Sequence, residues 1–148
     1  MAEQTWVTEW ATAISTHADN GRKIFWRFAK EFSLDFDRTT QPDRIIIVWE
    51  YQSATGQPLP DEHARMNQLE DALQATLHQD SFSTLALVST GENRREWIYY
   101  AESEGKFMNR LNLALENMPE FPIEIHIDED RQWSTYDEFK AGVKQSDK

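Results

Sequence analysis

The chain has 148 residues and a formal net charge of −11, from 26 Asp and Glu residues against 15 Lys and Arg residues. A chain of this length is typical of one domain, and it buries about 70% of its unfolded surface, which suffices for a core without disulfides or metal. Cysteine is absent, and this excludes disulfides, thiolate zinc sites, iron–sulfur clusters and cysteine nucleophiles.

The sequence does not show the pattern of a secretory signal or of a membrane-spanning helix. The first ten residues, MAEQTWVTEW, lack the basic and apolar regions of a secretory signal. The longest purely apolar run is Ile45–Trp49, far shorter than the roughly 20 residues that span a bilayer. We therefore expect a soluble cytoplasmic protein. Its acidity either keeps it soluble or attracts a basic partner, and it disfavours binding to a phosphate backbone.

The N-terminal region has two interpretations. Four residues have the spacing of one helical face: Trp6, Trp10, Ile14 and His17. The same stretch also alternates like a β-strand, and Asn20–Gly21 is a strong signal for a hairpin turn before the aromatic strand KIFWRFA. We predict an N-terminal β-hairpin rather than a helix.

The clearest strand is RIIIVWEY, residues 44–51, with apolar side chains on both faces, which indicates a central position in a sheet. SATGQPLP ends it, and a helix is predicted from Asp61 to about His78. The apolar stripe of this helix consists of Met66, Leu69, Leu73 and Leu77.

The second half of the chain also predicts strands that are each followed by a turn or a helix. FSTLALVST (82–90) and EWIYYAE (96–102) predict a hairpin around GENRR, and a second helix is predicted from Ser103 or Glu104 to about Met118. PIEIHID (122–128) predicts a last strand. QWSTYDEF predicts a short helix that packs Trp133 and Tyr136 against the domain.

The predicted order is a hairpin, then β–α–β–β–α–β, then a short helix. The inner unit is the pattern of a ferredoxin-like sandwich with two helices on one sheet face. We therefore predict one α+β domain over residues 1–143: a ferredoxin-like βαββαβ sandwich extended by an N-terminal β-hairpin, with a short C-terminal helix. A disordered polar tail is predicted over 144–148.

Four stretches together resemble a known family: VWEYQSATGQPLP, MNQLEDAL, LALVSTGENRREWIYYAES and EIHIDEDRQWSTYDEF. In order and spacing they are similar to domain-of-unknown-function family 695 (DUF695), from Trp6 to about Phe139. The resemblance implies a bacterial protein of no established activity, and it supplies no catalytic residues. Some relatives carry this domain beside one similar to a protein inhibitor of a ribonuclease, which by analogy implies regulation through protein contact.

The stretch TGENRREWIYYAES, residues 90–103, places a glycine turn and arginines before aromatic side chains. An RNA-binding strand has stacking aromatics beside basic residues. A superficial fit to that description is given by Arg94, Arg95, Trp97 and Tyr99. The glycine–aromatic spacing of the usual RNA-binding signature is absent, however, and carboxylates crowd the same hairpin. We expect the arginines to pair with these carboxylates and nucleic acid not to bind.

Metal and cofactor motifs are also missing from the sequence. The histidines at positions 17, 63, 78 and 126 form no helical i, i+4 pair or histidine–carboxylate cluster. His126 and Asp128 share a strand face about 7 Å apart, which suits a weak metal or an acid–base pair, although a solvated strand face is the favoured interpretation. With no phosphate-binding loop, dinucleotide motif or GxSxG, we expect neither metal nor cofactor.

Three functions remain open. The favoured hypothesis is a non-enzymatic acidic interaction or regulatory module that binds a basic protein partner, with a candidate patch of Glu62, Glu70, Asp71, Asp128 and Asp130. The alternative is a small enzyme or ligand-binding domain, in a pocket formed by Arg94, Arg95, Tyr99, Glu124 and His126. A ligand-binding sheet face lined with tryptophans is the third possibility. The sequence assigns no catalytic residue and leaves the oligomeric state open.

Overall fold

The structure is a computed structural model that describes residues 6–16, 18–77 and 81–146, with side chains described up to residue 143. Its elements in chain order are β1 (Val7–Thr16), β2 (Lys23–Phe32), β3 (Asp43–Glu50), α1 (Pro60–Leu77), β4 (Ser83–Gly91), β5 (Arg94–Ala101), α2 (Glu104–Leu115), β6 (Ile123–Glu129) and α3 (Ser134–Ser146). The strands form one antiparallel sheet in the order β1-β2-β4-β5-β3-β6. The predicted α+β class is confirmed.

The N-terminal hairpin is confirmed. β1 and β2 pair antiparallel, with Ile14 opposite Phe25 and Ala11 opposite Phe28. Gly21 adopts a φ of 70° in the turn, and the Asn20 side chain accepts a hydrogen bond of 2.8 Å from the amide of Arg22. Residues other than glycine rarely adopt this positive φ. The glycine and asparagine of the turn therefore favour the hairpin over the helical alternative.

The second hairpin is tighter than the sequence predicts. Its turn consists of Glu92 and Asn93, both with positive φ (54° and 64°), as in a two-residue type I′ turn. Arg94 and Arg95 therefore lie in β5, opposite Gly91 and Thr90, and not in the loop where the predicted boundaries placed them.

Side-chain alternation gives the sheet two different faces. On one face, which we call the helix-pair face, β3 and β5 pack against α1 and α2 around a single apolar cluster. Its largest fully buried members are Trp49, Trp97, Tyr99, Phe82, Phe107, Ile45, Ile47, Met66, Leu69 and Leu73. The predicted stripe of α1 lies in this cluster, and the core is therefore closed by the helix pair.

The opposite face, which we call the α3 face, is covered by α3 and the residues before it. Trp133 is fully buried, stacks on Tyr100 with ring centroids 4.0 Å apart, and donates from Nε1 to the Gln41 carbonyl at 2.9 Å. The Tyr136 hydroxyl donates to the Ala29 carbonyl. Trp133 and Tyr136 therefore pack against the domain as predicted, and they fix α3 over β2 and the C-terminal end of β5.

Three predicted boundaries differ from the structure or fall outside it. α2 ends at Leu115 instead of Met118, because the amides of Glu116 and Met118 bond three residues back, in tight turns that precede Pro119. α3 extends to Ser146, so it is longer than the short helix predicted. His78, the predicted end of α1, lies outside the described residues, and so do the side chains of the predicted tail.

Candidate functional site

The two arginines of the predicted alternative pocket lie on opposite faces of the sheet. Arg94 is on the α3 face, where it contacts Glu96 at 3.2 Å and Glu50 at 3.5 Å. Arg95 is on the helix-pair face and is buried, with Nε donating to Thr90 Oγ1 at 2.8 Å. The pairing with carboxylates that the sequence predicts holds for Arg94.

Arg95 and Tyr99 belong to the core. The Arg95 guanidinium lies 5.6 Å from the ring centroid of Trp97. Burial lowers the pKa of Arg95, and the Glu70 carboxylate opposes that effect. Tyr99 is fully buried and its pKa is raised by burial. Glu124 and His126 of the same predicted pocket are exposed on the α3 face, so the sheet divides the five residues of this pocket into two groups.

Of the five acids in the predicted patch, Glu70 is mostly buried and is hydrogen-bonded within the protein. Its carboxylate accepts two hydrogen bonds of 2.7 Å from Arg27 and one of 2.9 Å from Trp97 Nε1, and only 13% of the side chain is exposed. Asp71, the next residue on α1, is exposed. Glu62 accepts a hydrogen bond of 2.7 Å from Trp49 Nε1. Of the three patch acids on α1, two therefore accept hydrogen bonds from buried tryptophans.

The other two acids of the patch lie at the far end of the sheet. Asp128 is 72% exposed and contacts Arg44 at 3.6 Å. Arg44 and Trp49, the partners of Asp128 and Glu62, are separated by about 17 Å along β3 at about 3.4 Å per residue. The five predicted acids therefore do not form one continuous surface.

Asp130 has a structural role at the start of α3. Its carboxylate accepts from the amides of Ser134 at 2.8 Å and Thr135 at 3.1 Å, and from the Tyr100 hydroxyl at 2.8 Å. Burial raises the pKa of Asp130, but these hydrogen bonds and nearby Arg44 outweigh it, so the pKa lies below its ordinary value. The carboxylate caps α3 and ties the helix to β5.

A different set of acids does gather on one surface. On the α3 face, β5, β3 and β6 lie side by side, with Glu96 opposite Val48 and Val48 opposite Glu124. Two same-face positions further along these strands, Arg44 lies opposite Asp128. We call the four carboxylates on this half of the face the acidic strip: Glu50, Glu96, Glu124 and Asp128.

The acidic strip is exposed to solvent. The exposed fractions of the side chains are 65% for Glu50, 69% for Glu124 and 72% for Asp128, and 26% for Glu96, which contacts Arg94. His126 lies between Glu124 and Asp128 on the same face of β6, 62% exposed and 3.9 Å from Glu124. The packing of α3 involves the other half of this face, around Phe28, Leu87 and Tyr100.

A shallow groove of about 610 Å³ adjoins the acidic strip at the tip of the second hairpin. Its polar lining includes Glu50, Glu96, Glu92 and Arg94, and its apolar side is formed by Ile24 and Trp26 together with Tyr51. The Tyr51 hydroxyl donates to the Gly56 carbonyl at 2.6 Å, and burial raises its pKa to about 12. Tyr51 thus holds the neighbouring loop, and the groove is lined by three carboxylates together with Arg94 and neutral side chains.

Strand alternation alone missed the acidic strip. Glu124 and Asp128 lie in β6, and Glu50 and Glu96 share their surface because β3 lies beside β6 and β5 lies beside β3 in the sheet. The signal for this arrangement is the inner βαββαβ order, which places the first strand of that unit between the third and the fourth. Combined with alternation, that order would have placed the four acids on one face.

Two further observations limit the chemistry of the described residues. Among residues 6–16, 18–77 and 81–146, no group of three or more His, Asp or Glu side chains is placed to hold a metal ion. Within the same ranges, no helix combines the length and the apolar composition needed to cross a membrane. The carboxylates of the acidic strip share one exposed sheet face without forming such a group.

Comparison with known proteins identifies the family. Residues 8–140 match the sequence model of a family described as a family of unknown function (DUF695). A search among curated proteins found no match to the chain. Because the match covers nearly the whole chain, including every strand and the start of α3, the predicted resemblance is confirmed, and the chain belongs to the DUF695 family of unknown function.

Proposed function

We propose that the protein is a non-enzymatic acidic interaction or regulatory module that binds a basic protein partner through the acidic strip. The observation that carries this proposal is the position of four carboxylates on three adjacent strands, all on the α3 face. The proposal replaces the predicted patch by a set of acids on one sheet face that shares only Asp128 with it.

The electrostatics favour a cationic partner. The chain carries a net charge of −11, and the long-range field of such a surface speeds the encounter with a basic protein while it disfavours acidic ones. Because exposed charges are screened beyond about 8 Å at physiological ionic strength, association through the strip depends on salt. The same field opposes binding to nucleic acid.

The surface beneath the carboxylates adds an apolar component. Val48 lies between Glu96 and Glu124 with 5% exposure, and Ile46 is half-buried between Ile98 and His126. A lysine or arginine side chain that reaches a carboxylate of the strip passes its methylene groups over these β-branched side chains. This combination suits a partner segment rich in lysine and arginine better than an inorganic cation.

Finer features of the fold and setting belong to the same proposal. The unit from β3 to β6 has the strand order β4-β5-β3-β6, in which each helix crosses over one intervening strand, and this supports a ferredoxin-like arrangement. A bacterial, cytoplasmic setting is part of the proposal and is supported by the sequence resemblance. The enzyme or ligand-binding alternative has less support, because the sheet separates Arg95 and Tyr99 from Arg94, Glu124 and His126.

The test begins with a pull-down from bacterial cytoplasm at low and high salt, followed by association-rate measurements with the recovered partner. The strip variant combines Glu50→Lys with Glu124→Lys. The control variant combines Asp71→Lys with Glu116→Lys, two exposed acids outside the strip, so that both variants change the net charge equally. We expect the strip variant to slow association about tenfold or more and to lose most of its salt dependence.

Three outcomes contradict the proposal. Equal slowing by both variants means that net charge acts without a defined surface. Unchanged binding by the strip variant means that the partner uses another face. If no protein is retained above background at low salt, the interaction hypothesis loses its support and the alternative must be tested with small ligands.

A further inference from the structure

The first strand of the sheet has a free hydrogen-bonding edge in the described part of the chain. Among the described residues β1 is the terminal strand of the sheet, and its segment from Trp10 to Thr16 pairs with β2 on one side. A terminal strand of ten residues presents its outward N–H and C=O groups as a template for another strand. The backbone of a further β-strand can form hydrogen bonds with these outward groups.

The segment of β1 from Trp10 to Thr16 lacks the usual protection of an edge, and the register irregularities of β1 lie before it, between Val7 and Trp10. Natural edge strands carry lysine, proline or other charged residues that block pairing, but the segment WATAIST, from Trp10 to Thr16, has no charged residue and no proline. The other edge, β6, is protected in this way: Pro122 precedes it, and it carries Glu124, Asp128 and Glu129. The contrast indicates that the β1 edge is available for pairing.

Exposed apolar side chains accompany this edge. Trp10 is 38% exposed, Ile14 59% and Phe25 41%. Trp10, Thr12 and Ile14 point to one side of β1 by alternation, and Phe25 lies directly opposite Ile14. Arg27, the partner of Thr12, extends from this same side toward Glu70 of α1. The edge therefore continues the helix-pair face beyond its helices, as a row of apolar residues exposed to solvent.

We propose that β1 pairs antiparallel with β1 of a second copy of the chain, with Thr12 facing Thr12 across a two-fold axis. The argument is the symmetry of the strand: Trp10 and Ile14 are each two residues from Thr12. In this register Trp10 of each copy lies opposite Ile14 of the other, an aromatic–β-branched pair of the kind that stabilises sheets. On the reverse side Ala11 lies opposite Ala13.

Charge and neighbouring registers support the same arrangement. The register sets Glu9, the acid of this strand, opposite the uncharged Ser15 of the second copy, which keeps the two carboxylates apart. An axis at Ala13 would instead set Ile14 opposite Thr12 and Trp10 opposite Thr16, so that the exposed apolar side chains would not meet. Because Trp10–Thr16 carries no acid, this segment offers a basic partner no electrostatic attraction. A second copy, by contrast, places Trp10 against Ile14 on both sides of the axis.

The size of the contact sets its expected strength. A standard interface uses about 20–30 residues from each partner. The strand β1 and the exposed residues beside it on β2 supply fewer. The dimer is therefore expected to be concentration-dependent, with dissociation in the micromolar range typical of small interfaces. It forms at the β1 edge, whereas the proposed partner binds at the β3 and β6 end of the sheet, so neither proposal depends on the other.

The absence of cysteine allows a direct test by single-cysteine crosslinking. In Thr12→Cys the two sulfurs face each other, with Cα atoms about 4.5–5.5 Å apart, within the range that a disulfide spans. In the control Ser15→Cys the two cysteines lie six residues apart along the pair, about 20 Å. Under mild oxidation, we expect Thr12→Cys to form a disulfide-linked dimer and Ser15→Cys to remain monomeric.

Sedimentation equilibrium supplies the second measurement, without any crosslink. Ile14→Lys should raise the dissociation constant about tenfold or more, because it replaces two symmetric apolar contacts by two like charges near the edge. Leu113→Lys is the matched control, since Leu113 is similarly exposed (57%) but lies on α2. A wild-type chain that stays monomeric at its highest soluble concentration overturns the proposal, and so does equal crosslinking of the two cysteine variants.

Discussion

The two faces of the sheet differ in how completely they are closed. The helix-pair face is packed by α1 and α2 around one apolar cluster, and the charged groups that enter it, Glu70 and Arg95, have internal partners. On the α3 face, a single helix covers the half around Phe28 and Tyr100, and the rest presents carboxylates. One face thus serves stability, and the other combines stability with an open surface.

The contrast is visible within a single strand. In β6, Ile123 and Ile125 pack against the helix-pair cluster, while Glu124, His126 and Asp128 alternate with them on the open side. An antiparallel edge strand with one face on the core commonly has this pattern. Substitutions on the two faces should therefore differ in kind, and the following predictions use that difference in order of decreasing effect.

The largest effect is expected where α3 joins the sheet. Trp133→Ala removes a fully buried ring that stacks on Tyr100 and bonds Gln41, so the free energy of unfolding should fall by about 3–5 kcal/mol. Urea denaturation measures the change, and Trp10→Ala, at a partly exposed position (38%), should cost far less. A wild-type midpoint for Trp133→Ala would show that α3 contributes little to closing its face.

The ion network of the helix-pair face gives the next largest effect. Glu70→Ala leaves Arg27 and the Trp97 Nε1–H without their acceptor, which should reduce the free energy of unfolding by about 1.5–3 kcal/mol. The adjacent exposed acid is a natural control: Asp71→Ala should change stability by less than about 0.5 kcal/mol. If the two alanine variants melt alike, Glu70 is not the internal acid that the geometry indicates.

The cap of α3 should make stability depend on pH. Because the pKa of Asp130 is lower in the folded protein than in the unfolded chain, its contribution is complete above the unfolded value near 3.9 and is lost as pH falls through the folded pKa. Asp130→Asn should cost about 0.3–1 kcal/mol at neutral pH, because the amide has no negative charge at the N-terminus of α3. The loss should shrink as the pH falls below about 4, which denaturation at several pH values will show.

The smallest effect is expected on the acidic strip. Glu124→Lys reverses an exposed charge (69%) at the open half of the α3 face, and the free energy of unfolding should stay within about 0.5 kcal/mol of wild type. Thermal denaturation is the measurement, with Ile125→Lys as the contrasting variant because Ile125 packs against the helix-pair cluster. A large loss in Glu124→Lys would show that the strip is part of the packing.

The elements of this fold were predictable because each has a local physical cause. The β-hairpin follows from Asn20–Gly21 and the α1 packing face from its four apolar residues, whereas the ends of α2 and α3 differ from the predicted ones. The burial of Arg95 was not predictable in this way. The burial of Arg95 depends on a two-residue turn, after which β5 begins at Arg94. It also depends on Thr90, which lies opposite Arg95 on β4, and on Trp97, two residues further along β5.

The candidate site was less predictable than the fold for the same reason. Glu70 and Asp71 are adjacent acids in one helix, and only the position of Arg27 on a strand far away in sequence makes the first internal. Side-chain partners across a sheet depend on strand order and register, which no local pattern contains. The acidic strip therefore emerged from topology, while composition indicated only that acids are in excess.

The pairing of β2 with β4 also sets the timing of folding during synthesis. β1 and β2 are made first, but Phe28 pairs with Leu87, so roughly 60 further residues must be added first, which takes roughly 3–12 s at about 5–20 residues per second. Throughout this interval the hairpin has no strand beside β2, and its aromatic side chains have no core to enter. A nascent chain of this protein thus exposes its most aromatic hairpin for seconds, a period when chaperones have access to it.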